Sequence, residues 1–99
     1  MKKILVIGKN KEIANVIIRL LDAHEGYTGL ASTSIQEMHT SLMKDQYDLL
    51  LIGAGFDKKD EEEIRRKAIE IQPAIKVFEH YGGGSGLLLS ELKAAFGDE

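Results

Sequence analysis

Cysteine and tryptophan are absent from this sequence of 99 residues, and proline occurs only once. Without cysteine the chain can have neither a disulfide framework nor a thiolate metal site. The lack of cysteine fits a reducing compartment, so we expect a cytoplasmic protein. Aromatic residues make up 6% of the chain and are scattered singly, which does not suggest a platform for stacking bases.

Long hydrophobic runs are also missing. The first apolar run, residues 4–7, has four residues before Gly8 and Lys9, whereas a signal peptide needs about 7 to 15 apolar residues and a membrane span about 20. The formal net charge is −3, with acidic and basic residues interspersed, so the chain lacks the basic surface that electrostatic nucleic-acid binding requires. We therefore expect neither a membrane nor a nucleic acid as a partner.

An apolar stretch near the middle of the chain is the strongest structural signal. Residues 47–53 read YDLLLIG, and glycine, alanine and glycine follow the apolar run at positions 53–55. A strand that is apolar at every position has to be covered on both faces, which is typical of parallel sheets between helices. These residues are therefore the predicted central strand.

Turn and cap signals divide the rest of the chain into alternating strands and helices. The other predicted strands are residues 4–7, an edge strand at 27–32, and 74–78. Asn10, Ser34 and Asp60 are predicted N-caps, and a last amphipathic helix follows the glycine-rich residues 82–86. Ser34 and Glu37 match a capping box, in which each side chain accepts from the backbone N–H of the other. This alternation predicts one α/β domain over residues 1–99, a three-layer sandwich with a four-stranded parallel sheet.

The order of elements resembles the receiver domain of bacterial two-component response regulators. The resemblance is carried by residues 3–7 (KILVI) at the start, residues 47–52 (YDLLLI) as third strand, and residues 88–96 as closing helix. It implies a flavodoxin-like fold with strand order 2-1-3-4 and a switch point between the first and third strands. It also implies a protein-binding role in bacterial signalling or regulation.

The functional residues of a receiver do not match this chain. The acidic pair that binds Mg²⁺ after the first strand is replaced by Gly8 and Lys9, and Gly53 stands at the position of the phosphoacceptor aspartate. Mg²⁺ prefers carboxylate oxygens, and glycine cannot accept a phosphoryl group. The resemblance therefore implies a degenerate, shortened pseudo-receiver that has no phosphoacceptor, metal or cofactor and is not an enzyme. Asp57, four residues further on, is expected to solvate the loop or to serve the start of a helix instead.

Glycine-containing turns leave a second function open, that of a small module binding a phosphate or a nucleotide. The possible anion-binding residues are Gly8, Lys9 and Asn10 before the first helix and Gly53, Ala54 and Gly55 after the third strand, with residues 82–86 as a third segment. Backbone amides at such turns can bind phosphate. None of the segments matches a full P-loop or dinucleotide fingerprint. An enzyme is the least favoured class, since this crevice lacks paired acids and an activated nucleophile.

The fourth predicted strand poses a further problem, because the fifth strand of a receiver is missing. Its outer edge would expose unpaired backbone groups, which proteins normally cover or pair. We therefore predict that the last helix or a second chain covers this edge, and expect a homodimer. The predicted partner surface consists of Ile75, Val77, Leu88, Leu92 and Phe96.

Overall fold

A computed structural model of the chain describes residues 2–80 and 92–96. The strands are β1 (Lys2–Ile7), β2 (Tyr27–Ser32), β3 (Leu49–Gly53) and β4 (Lys76–His80). The helices are α1 (Lys11–Asp22), α2 (Ile35–Lys44) and α3 (Lys58–Ile71), and residues 92–96 are also helical. None of the helices in these described ranges is long and apolar enough to cross a membrane.

The four strands form one parallel sheet in the order β2-β1-β3-β4. This confirms the predicted fold class and strand order. β1 and β3 lie at the centre, and Ile4 to Ile7 and Leu49 to Ile52 are fully buried. Parallel strands joined by helical crossovers bury both faces of the sheet, which is why residues 4–7 and 49–52 are apolar at every position.

Alternation along the strands divides the core into two layers. On one face Ile4, Val6, Leu49 and Leu51 pack against α1 and residues 92–96, whereas on the other face Leu5, Ile7, Leu50 and Ile52 pack against α2 and α3. Successive side chains of a strand point to opposite faces, so a fully apolar strand supplies both layers. The three-layer sandwich follows directly from this pattern.

The helix starts are partly as predicted. Asn10 caps α1, since its side-chain oxygen accepts from the N–H groups of Glu12 and Ile13. The predicted cap Asp60 is wrong: Asp57 caps α3 and accepts from the N–H of Asp60 at 2.8 Å. The helix begins one turn earlier because Asp57 is an equally good cap and the two lysines that follow it favour helix.

The predicted capping box of α2 forms only in part. Ser34 accepts from the N–H of Glu37 at 3.1 Å, but the carboxylate of Glu37 accepts from the N–H and the hydroxyl of Thr33. Thr33 offers the carboxylate of Glu37 two donors, whereas Ser34 would offer only its backbone N–H, and this accounts for the preference for Thr33. β3 and β4 also begin two residues later than predicted, at Leu49 and Lys76.

Candidate functional site

The crevice beyond the carboxyl ends of β1 and β3 brings together the two predicted anion-binding segments. Gly53 is the last residue of β3 and its neighbour strand β1 ends at Ile7. A Cβ atom placed on Gly53 would lie 3.3 Å from the carbonyl oxygen of Ile7 and 3.5 Å from the Cα atom of Gly8. The two segments therefore touch through their backbones, and the end of β3 has little room for a side chain.

Lys9 lies across the loop that follows β3. Its Cβ atom would be 3.7 Å from a Cβ atom at Gly55, and its Nζ atom is 5.5 Å from the centre of the Phe56 ring. Gly55 has a φ of +106°, a conformation that residues with a side chain rarely adopt. The aliphatic stem of Lys9 thus packs on a glycine turn while its ammonium group faces an aromatic ring, a favourable cation–π arrangement.

Asn10 and Asp57 are both occupied as helix caps. The side-chain oxygen of Asn10 accepts at 2.9 Å from Glu12 N–H, and that of Asp57 accepts at 2.8 Å from Asp60 N–H. Their hydrogen bonds satisfy amides that would otherwise lack partners in a first helical turn. The expectation that Asp57 serves the start of a helix is thereby confirmed.

The cavity at the crevice is small and apolar. It has a volume of about 40 Å³, lies beside Ala54 and is otherwise lined mainly by Val6, Ile13, Ala14 and Ile17. Such a volume accepts about one water molecule, whereas ligand pockets usually have about 300 to 1,000 Å³. Across residues 2–80 and 92–96, no group of three or more His, Asp or Glu side chains is arranged to hold a metal ion.

The predicted partner surface divides into buried and accessible parts. Ile75 and Leu92 are 7% and 1% exposed and belong to the core, while Val77 and Phe96 are half-buried at its margin. Leu88 and residues 82–86 lie outside the described residues. The prediction that the last helix or a second chain covers the outer edge of β4 concerns residues outside the described ranges and stays a prediction.

Arg65 and Glu79 connect α3 with the end of β4. The Nη2 atom of Arg65 lies 2.8 Å from a carboxylate oxygen of Glu79, and its Nη1 atom donates to the carbonyl of Val77. Glu79 is thus held at the end of β4 by an arginine from α3. Local spacing along α3 does not reveal this contact.

A wider groove of about 560 Å³ runs along β2, where the sequence offered no candidate residues. It lies at the β2 edge of the sheet, between residues 11–18 of α1 and residues 36–41 of α2. One sequence feature could have indicated this groove. The spacing of Lys11, Asn15, Ile18 and Asp22 places all four residues on one face of α1.

No model of a protein family matches the sequence, and no curated protein matches it. Solved structures are similar to the chain in fold. The response regulator receiver domain protein (CheY-like) from Methanospirillum hungatei JF-1 gives a TM-score of 0.79 at 18% identity, covering 95% of this chain and 92% of that one.

Two further solved structures are similar to the chain in fold, with lower TM-scores. A response regulator receiver domain protein from Clostridium thermocellum gives a TM-score of 0.70 at 25% identity, covering 97% of this chain and 79% of that one. The response regulator protein TrrA from Thermotoga maritima, in complex with Mg²⁺-BeF, gives a TM-score of 0.70 at 18% identity. The match covers 97% of this chain and 100% of that one. The chain has the receiver-domain fold, as the resemblance in the sequence predicted.

Proposed function

We propose that this chain is a cytoplasmic, non-catalytic protein-interaction module with the receiver fold, acting in bacterial signalling or regulation without aspartyl phosphate. The observation that carries the proposal is Gly53 at the carboxyl end of β3, within contact distance of the backbone of Ile7 and Gly8. Phosphoryl transfer to a receiver needs a carboxylate at this position. Glycine supplies none, and even a Cβ atom at this position would lie as close as 3.3 Å to the carbonyl oxygen of Ile7.

The neighbouring charges support the same conclusion. Lys9 places an ammonium group beside the β3–α3 loop, in the region where a receiver has carboxylates for Mg²⁺. A divalent cation prefers several oxygen ligands and is repelled by a nearby lysine. TrrA, whose structure contains Mg²⁺-BeF, shares the fold, so the fold by itself does not decide whether a cation binds.

The role that remains for such a domain is binding to another protein. We propose that one partner surface includes Val77 and Phe96, which are half-buried beside the core residues Ile75 and Leu92. Half-exposed apolar side chains on a rigid base are common at the centre of protein interfaces. We also propose that the chain self-associates.

A titration followed by amide NMR tests the absence of phosphorylation chemistry. The chain is titrated with Mg²⁺ and beryllofluoride, and separately incubated with acetyl phosphate and weighed by mass spectrometry under neutral conditions. We expect no saturable shift at Gly8, Gly53 or Gly55 and no added phosphoryl mass. TrrA is the positive control for beryllofluoride. Saturable shifts at these glycines, or a phosphorylated chain, would contradict the proposal.

The same samples then test the alternative of a phosphate or nucleotide ligand. Inorganic phosphate and ADP are added to the free chain, and the Lys9→Ala variant serves as the comparison. Shifts that saturate in the wild type and weaken in the variant would favour the ligand-binding function. If none of the added compounds causes a saturable shift, the result supports a module that binds proteins only.

A further inference from the structure

The outer edge of β2 has unpaired backbone groups. At the two ends of the pairing between β1 and β2, the carbonyls of Gly26 and Ser32 accept from the N–H groups of Lys2 and Gly8. The even-numbered residues of β2 therefore direct their backbone groups inward, toward β1. In a parallel strand the residues between them direct theirs outward. Tyr27, Gly29 and Ala31 therefore present N–H and C=O groups along this edge, with which no strand within residues 2–80 and 92–96 pairs.

This edge forms the floor of the groove along β2. One wall is Lys11, Asn15 and Ile18 from α1, and the other is Gln36, Glu37 and Thr40 from α2. Leu30 stands on the floor with 48% of its surface exposed, and the hydroxyl of Ser32 is buried there without a hydrogen-bond partner. Native proteins usually protect such an edge with lysine, proline or a covering segment, and β2 itself contains neither residue.

The charges on the two walls are arranged in opposite order. Along α1 the exposed face begins with Lys11 and ends with Asp22, whereas along α2 it begins with Glu37 and ends with Lys44. Both helices run antiparallel to β2, because each connects parallel strands of one sheet. Each wall thus has one charge at its upper end and the opposite charge at its lower end.

We propose that a second copy of the chain binds this edge, with β2 pairing antiparallel to β2 about a two-fold axis near Leu30. The two-fold places Gly29 opposite Ala31 of the second copy, so that outward N–H and C=O groups pair in both directions. It also brings the Lys11 end of each α1 toward the Asp22 end of the other, and the Glu37 end of each α2 toward the Lys44 end of the other.

A second copy of the chain matches the unpaired β2 edge, the exposed Leu30 and the charges on both walls at the same time. An unrelated partner would have to match each of them separately. The reversed charge order makes both walls complementary to themselves under a two-fold rotation, which is a requirement of an isologous interface. The exposed Leu30 side chains meet at the axis and become covered. The two four-stranded sheets then continue as one. The inference deepens the proposed function, because it specifies the surface of self-association.

Sedimentation velocity of the full chain across a concentration series is the first test. We expect a species of about twice the 11.0 kDa chain mass. Leu30→Lys places two like charges directly opposite each other and should weaken dimerisation roughly tenfold or more. Ile69→Lys is the matched control, because Ile69 is 49% exposed on α3, away from the groove, and it should leave the dimer unchanged.

Charge reversal tests the orientation of the copies. Lys11→Glu and Asp22→Lys should each weaken the dimer, and the double variant should recover most of the wild-type affinity. Circular dichroism checks that each variant is folded. Recovery in the double variant is specific to contact between the two ends of α1, since these residues lie at opposite ends of the helix within one chain.

Hydrogen exchange provides a readout at single residues. With rising protein concentration the amides of Tyr27, Gly29 and Ala31 should become protected, whereas that of Leu30, which faces β1, should not change. A chain that stays monomeric at millimolar concentration would overturn the inference, as would a dimer that tolerates Leu30→Lys. Either result leaves the beryllofluoride titration unaffected, so the proposed absence of phosphorylation chemistry stands or falls separately.

Discussion

The side-chain oxygen of Gln72 accepts a hydrogen bond from the backbone N–H of Tyr47 at 2.9 Å. Gln72 ends α3 and is only 8% exposed. Its amide nitrogen donates to the carbonyls of Leu42 at 2.9 Å and Asp45 at 2.6 Å. One buried side chain thus joins the ends of α2 and α3 to the approach to β3, and satisfies backbone groups that lack a partner in regular structure.

Replacing Gln72 should destabilise the fold markedly. Gln72→Met keeps the size of the side chain but leaves the N–H of Tyr47 and the two carbonyls without their partner, which should cost about 2 to 3 kcal/mol of unfolding free energy. Urea unfolding measures the loss as a lower midpoint with an unchanged slope. Gln46→Met, at an exposed position of the loop between α2 and β3, is the control and should have little effect. Equal losses for both variants would contradict the role of Gln72.

Two glycines next to α1 should respond differently to alanine. A Cβ atom on Gly29 would lie 2.8 Å from the Cδ1 atom of Ile18 and 2.9 Å from that of Leu21, whereas one on Gly8 would meet nothing closer than 3.7 Å. Both atoms are the ends of flexible side chains, but Leu21 is fully buried and has to repack, so Gly29→Ala should cost about 1 kcal/mol or more. Gly8→Ala should change stability by less than about 1 kcal/mol. Denaturant unfolding of both variants checks this, and a larger loss at Gly8 would refute it.

Periodicity in the sequence was sufficient to predict the architecture. The apolar runs that form most of β1 and β3 and the capping residues Asn10 and Ser34 are local signals, and the structure confirms them. Parallel pairing followed from the alternation of strands and helices, and the strand order followed from the resemblance to receivers. Local rules failed where two residues compete for the same task, as when Asp57 rather than Asp60 caps α3.

The candidate site was harder to predict, because its properties depend on contacts between distant segments. The glycines at positions 8, 53 and 55 were identified, but not the closeness of their backbones or the course of Lys9 over Gly55. The partner of Arg65 is Glu79, fourteen residues away, whereas helix spacing suggests only partners within α3. The groove along β2 involves two helices and a strand edge, and no single stretch of sequence marks it.

Glu37 should give the fold an acid-dependent contribution to stability. Hydrogen bonds from the backbone N–H and the hydroxyl of Thr33, helped by the charge of Lys11, hold the pKa of Glu37 below its ordinary value of 4.5. A carboxyl with a lowered pKa stabilises the folded state fully above its unfolded pKa. This contribution is lost as the pH falls through the folded pKa. Glu37→Gln should therefore flatten the pH dependence of stability in this acidic range.

NMR titration of the side-chain carboxyl carbon measures the pKa of Glu37 directly. Thr33→Val removes the hydroxyl donor and keeps the backbone donor, so it should raise this pKa partway toward 4.5. Thr40→Val is the control, because the Thr40 hydroxyl donates to the carbonyl of Gln36 instead. An unchanged pKa in Thr33→Val would show that the hydroxyl contact does not persist in solution.

Phe96 should couple energetically to the lysines at the start of β1 and β4. The Nζ atoms of Lys2 and Lys76 lie 5.0 and 5.7 Å from the centre of its ring, and Lys76 also donates to the carbonyl of Ala95. Phe96→Leu keeps an apolar side chain but removes the ring, so each cation–π contact of about 0.5 to 1 kcal/mol is lost. Helical residues 92–96 are thereby attached to the sheet less firmly.

A double-mutant cycle of Phe96→Leu and Lys2→Met isolates one of these contacts. Unfolding free energies should show a coupling of about 0.5 kcal/mol or more between the two sites. The corresponding cycle with Lys93→Met should show none, because Lys93 is exposed on the same helical segment and has no contact with the ring. Additive effects of Phe96→Leu and Lys2→Met would mean that packing alone, without the ammonium group, holds the ring against the sheet.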